Sequence, residues 1–154
     1  VRPGLRQGSI VFAAVALALV LVAGCGGSDE SDAADVAKDY LTATIGGEGA
    51  AACELLSEDA RAFLETSAPA EIAGEGASCD EIISATGAEV SEEQVDLGKE
   101  LISDIDEEDV TIDGDTAEVG LTAATGVPMR LERDGDSWLI TQESLQGSVG
   151  QNAP

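Results

Sequence analysis

The sequence predicts an α+β domain in which N-terminal helices pack on an antiparallel sheet of about four strands. Three observations lead there. Between residues 33 and 102 apolar side chains recur at three- and four-residue intervals, and from Val110 to Ile140 the interval becomes two. Asp113-Gly114 and Asp134-Gly135 stand where pairs of alternating runs meet. A period near 3.6 places apolar residues on one face of a helix, and a period of two places them on one face of a strand. Asp-Gly supplies the positive φ that closes a tight hairpin.

Ahead of this domain, Arg2 and Arg6 precede an uncharged run from Ile10 to Val22, and the small residues Ala23 and Gly24 follow. These have the order of the charged, apolar and cleavage regions of a secretory signal, expected over residues 1–24 and removed. The apolar run is shorter than the roughly 20 residues that span a bilayer as a helix. Leu21-Val22-Ala23-Gly24-Cys25 resembles the bacterial lipobox. That resemblance implies cleavage between Gly24 and Cys25, acylation of the Cys25 sulfur, and partnership with a membrane through the lipid anchor. Two or three acyl chains, each CH2 contributing about 0.8 kcal/mol on burial, hold a protein firmly. Residues 25–32 are small, polar and acidic, and are expected to form a flexible tether after the lipidated Cys25.

The domain is expected over residues 33–143. Val36, Ala37, Tyr40, Leu41 and Ile45 share one helical face, ended by Gly46-Gly47. Ala52, Cys53, Leu56, Ala60, Phe63 and Leu64 repeat the spacing, with Ser57-Glu58-Asp59 reading as the cap of a second helix inside it. Residues 67–77 contain Pro69, Gly74 and Gly76 and read as a loop. A short helix then carries Cys79, Ile82, Ile83 and Thr86. Ser91 with Gln94 fits a capping box for a weaker helix to about Glu100, and a strand from Leu101 competes with its end. Four alternating runs follow: Val110 and Ile112; Ala117, Val119, Leu121 and Ala123; Val127, Met129 and Leu131; Trp138 and Ile140. Thr125-Gly126 makes the middle turn of the meander. Residues 144–154 are polar and are expected to fray as a tail.

Composition narrows the chemistry. The chain has 31 acidic and 7 basic residues, a formal charge of -24; loss of Arg2 and Arg6 with the signal takes it to -26. Such a surface repels nucleic acid, so no nucleic-acid partner is expected. There is no histidine, which removes the commonest general base, the usual zinc ligand and any Ser-His or Cys-His nucleophile. No catalytic residue, cofactor or metal site is predicted. The acidic run from Asp104 to Asp115 departs from a calcium loop where it matters. Asp109 stands at the obligatory glycine and Asp115 at the bidentate glutamate.

With Cys25 acylated, Cys53 and Cys79 remain as an even pair, best read as a disulfide in an exported domain. Tyr40, on the buried side of the first helix, and Trp138, at the start of the last strand, are core residues. They are also the two side chains that would face a cavity. A tyrosine beside a buried carboxylate can donate to a developing enolate, the basis of an isomerase-like or dehydratase-like alternative.

The helices-first order resembles small bacterial lipoproteins of the nuclear-transport-factor-2-like superfamily. So do the cysteines around Ala51 to Ser57 and at Cys79, the hairpins Val110–Val119 and Leu131–Ile140, and the closing pattern of Gly135, Trp138 and Ile140. The likeness covers residues 33–142 and implies a cone-shaped α+β roll, a curved sheet wrapped on helices and often hollow. Members include enzymes and binders of small ligands, and this chain lacks the catalytic Asp-His or Tyr-Asp pattern of the enzymes. What is expected is a non-catalytic, membrane-anchored extracytoplasmic domain that binds a small apolar ligand or an envelope protein. A structural envelope lipoprotein is the remaining alternative.

Overall fold

The computed structural model describes residues 28–121 and 127–149, without the side chains of 147–149. It has the predicted α+β architecture, helices first and an antiparallel sheet after them. The helices are α1 (Asp29–Ile45), α2 (Gly49–Glu54), α3 (Glu58–Ser67), α4 (Ala70–Ala73), α5 (Cys79–Ala88), α6 (Glu92–Ser103) and, after the sheet, α7 (Gln142–Val149). A single 3-10 turn at Glu107–Asp109 leads into β1 (Val110–Asp113), β2 (Thr116–Val119), β3 (Met129–Asp134) and β4 (Ser137–Ile140).

The sheet is an open meander in the order β1-β2-β3-β4. Gly114 and Gly135 both take φ of 63°, the conformation that the two Asp-Gly pairs are chosen for. The register pairs Ala117 with Leu131 and Leu131 with Ile140, so the apolar members of neighbouring strands share one face. On that inner face Leu56, Val119, Leu131 and Ile140 are fully buried, and α1 lays Ala33, Ala37 and Tyr40 into the same core. The free edge of β4 is closed by the residues between α2 and α3. The Ile140 N–H donates to the Leu55 carbonyl at 2.8 Å, and the Ser57 N–H donates to the Ile140 carbonyl at 2.9 Å.

Four boundaries differ from expectation, and in each case a local partner accounts for the difference. First, α1 begins at Asp29, so residues 29–32 belong to the helix and not to the tether. Ser28 caps it, its hydroxyl accepting from the Ser31 N–H at 3.2 Å, and the acids Asp29, Glu30 and Asp32 occupy the turn where the helix dipole favours negative charge. Second, residues 142–149 form α7 where a frayed tail is expected to begin at 144, because Leu145 is buried and Ser144 hydrogen-bonds the sheet. Third, β2 ends at Val119 and β3 begins at Met129; Leu121 and Val127 lie outside any strand, and Ala123 and the Thr125-Gly126 turn lie outside the described residues. Fourth, the 67–77 loop contains the single turn α4.

The break at Ser57 and the Ser91 capping box are present as read, the latter starting a helix that continues through Ser103 where a strand competed. An additional box opens α5. Glu81 reaches back to accept from the Ser78 N–H at 2.9 Å, and that bond, with the Ser78 hydroxyl, holds the Glu81 carboxyl below its ordinary range.

Candidate functional site

A groove of about 630 Å³ lies on the outer face of the sheet, opposite α1. Its floor follows from strand alternation. If Val110, Ala117, Val119, Met129 and Leu131 face the core, then Thr111, Thr116, Glu118, Arg130 and Glu132 face outward. Its walls are helix starts: Ser57 and Asp59 at α3, and Thr141, Gln142 and Glu143 at α7.

The α7 wall is held by hydrogen bonds that continue the sheet after β4 has ended. The Thr141 N–H donates to the Arg130 carbonyl at 3.0 Å, and the Ser144 hydroxyl both accepts from the Arg130 N–H at 2.7 Å and donates to its carbonyl at 2.8 Å. Ser144 thus stands in for a strand residue opposite Arg130, each of these exposed hydrogen bonds contributing about 0.5–1.5 kcal/mol net at most.

Arg130 is the only cation lining the groove among the described residues. Its Nη1 meets Glu143 Oε2 at 2.7 Å and its Nε meets Glu118 Oε2 at 3.5 Å, and the two carboxylates, Glu143 first, raise its pKa further. Asp59, Asp113 and Glu132 have no ion pair among the described residues. The groove therefore presents three unpaired carboxylates beside the hydroxyls of Thr111, Thr116 and Thr141. Such carboxylates attract ammonium or guanidinium groups, and Ala117 and Leu131 add apolar surface between them. Among the described residues no three carboxylates or thiols converge on a point where they could hold a metal ion.

The residues singled out in the sequence fall elsewhere. Cys53 and Cys79 are bonded, with Cα atoms 6.1 Å apart, and join α2 to the start of α5. Gly49 makes that approach feasible, because a Cβ there would run into the Asp80 carbonyl oxygen. Closing a loop with a separation of 26 residues stabilises by about 3–4 kcal/mol on the chain-entropy account. Cys25 and the Gly24 cleavage position lie outside the described residues.

Tyr40 and Trp138 are buried, at 8% and 2% exposure, and line neither the groove nor the smaller cleft beside the 3-10 turn. Burial raises the Tyr40 phenol pKa; the Thr44 hydroxyl opposes this weakly, without a hydrogen bond of good geometry. Trp138 is stacked under Arg133, whose guanidinium carbon lies 4.2 Å from the ring centroid, while its buried indole N–H has no hydrogen-bond partner among the described residues. Arg133 in turn pairs with Asp29 at 3.0 Å, joining the sheet to the first turn of α1.

The groove was not visible in the sequence as a site. Its signal was the run of outward-facing polar residues on three strands, β1 to β3, which looks the same as any solvated sheet face. Only the helix starts that wall it make it concave. Comparison with family models, curated proteins and solved structures finds no match to this chain. Fold and groove thus define an α+β domain, stapled by one disulfide, with an acidic cleft on its exposed sheet face.

Proposed function

We propose that the protein is a membrane-anchored extracytoplasmic lipoprotein whose domain is a non-catalytic binding module for a protein partner. The arrangement of the three cysteines carries this reading. Cys25 stands in a lipobox behind a signal-like run, and the other two form a disulfide, which persists in oxidising compartments. The helices-first order and the Gly135–Ile140 hairpin support kinship with the nuclear-transport-factor-2-like lipoproteins, on a sheet that is open and filled by α1.

The partner is one that presents cationic side chains to the outer groove. The unpaired carboxylates of the lining favour such a partner, and Tyr40 lines neither the groove nor the smaller cleft, so neither supports the isomerase-like alternative.

Labelled fatty acid is expected to enter the wild-type protein in a bacterial host and to be absent from Cys25→Ala. Equal incorporation in both would overturn the anchor. For the groove, an oligolysine peptide is expected to bind at low salt and to lose affinity when Asp113→Asn and Glu132→Gln are combined. Binding unchanged by that pair would remove the groove as the site.

A further inference from the structure

We infer, on the basis that Cys25 is acylated, that the domain stands upright on the lipid surface by the N-terminal end of α1, leaving the outer groove open to the side. The leash is short. Gly26 and Gly27 alone separate Cys25 from Ser28, and three residue steps extend at most about 11 Å. The tether that the acidic stretch 25–32 implied is halved because residues 29–32 are helical.

That end of α1 is fastened to the rest of the domain, so the leash does not lengthen freely by unwinding. Ser28 caps the helix, Asp29 pairs with Arg133, Arg133 stacks on the buried Trp138, and the Ser28 hydroxyl reaches Glu107 at 3.5 Å. An anchor of this length brings the first turn of α1 and the 3-10 turn to within about one Debye length, ~8 Å, of the headgroups.

Charge then decides between lying flat and standing. With a formal charge of -26 after Cys25, a domain lying on an anionic leaflet would bring carboxylates from its whole length inside the Debye layer. Standing confines the apposed surface to one pole. Two of the five cations that follow Cys25 offset part of the acidity of this half of α1: Lys38 pairs with Asp35 at 2.6 Å and shares a cleft with Asp106, Glu107 and Glu108, and Arg133 pairs with Asp29. From there α1 rises about 25 Å over its 17 residues. Its far end meets α5 where Gly47 touches Gly87, so Glu89 marks the distal pole and Glu108 the proximal one; both are exposed. The groove, on the sheet face turned away from α1, is not covered in this posture.

The test uses acylated full-length mature protein with its disulfide intact, carrying a fluorophore on Glu108→Cys or Glu89→Cys. It is reconstituted on vesicles of phosphatidylcholine and phosphatidylglycerol bearing a headgroup nitroxide. Quenching is expected to be several-fold stronger at position 108 than at 89. The contrast should grow with the phosphatidylglycerol fraction and fall at high salt. Inserting about 12 Gly and Ser residues after Gly27, an r.m.s. reach of roughly 19 Å, should erase it. Protein that fails to float with the vesicles overturns the anchor and the posture with it. Protein that floats but is quenched equally at both positions overturns the posture alone. A contrast that survives the long leash overturns the leash as its cause.

Discussion

The two faces of the sheet are made from the same four strands and differ in almost everything else. On the inner face Val119, Leu131 and Ile140 have no exposed surface and meet Leu56 and the alanines of α1. On the outer face Thr116, Glu118, Arg130 and Glu132 alternate with them one residue away, all exposed. Stability therefore resides on one side of a backbone and recognition chemistry on the other. The outer side can hold unpaired carboxylates because water solvates them, and among the described residues no inward-facing strand residue is a carboxylate.

The sharpest way to break this contrast is to truncate neighbours on opposite faces. Leu131→Ala is expected to cost about 2–5 kcal/mol, and the adjacent Glu132→Ala no more than about 0.5, read from urea denaturation midpoints. Comparable losses at the two positions would contradict the division.

Arg133 is the exception on the inner side, a cation 23% exposed at the sheet's end, and removing it tests whether that corner belongs to the core. Arg133→Ala is expected to destabilise by about 1 kcal/mol, through lost stacking on Trp138 more than through the solvent-screened pair with Asp29. A loss of the same size in Asp29→Asn would reverse that order.

The smallest effect concerns Tyr40. Its folded-state pKa lies above the ordinary 10.0, so the unfolded chain gives up the proton first. The phenol's contribution is complete below pH 10.0 and is lost as pH rises from there through the folded value. Stability of the wild type should fall more steeply than that of Tyr40→Phe between about pH 9 and 11 in parallel urea titrations. Identical slopes would place the phenol in solvent.

The acidity has a structural account as well as a compositional one. Acids fill the first turns of α1, α3, α5, α6 and α7, and no basic residue occupies the last turn of any of them. Each such carboxylate is favourable with its own helix dipole, by about 0.3–1 kcal/mol, while adding to the repulsion of the whole. This pairing of acid with helix start is what made residues 29–32 read as a tether. The same Asp and Glu that signal solvated coil also cap helices, and the distinction rests on whether alanines such as Ala33 and Ala34 find a core to enter.

By itself the sequence determined that helices precede an antiparallel meander, the two hairpins, the buried alternation and the even cysteine pair. These rest on interactions between residues near in the chain, or on a period that one face of an element imposes. What only the tertiary structure decided depends on distant partners. Ser144 becomes a helix residue because β3 offers it an unpaired N–H and carbonyl at Arg130. Asp29 closes the leash because Arg133 waits on Trp138. The groove exists because the starts of α3 and α7 come to rest on either side of a polar sheet face. No periodicity records such meetings, since each joins residues whose local patterns are satisfied equally well apart.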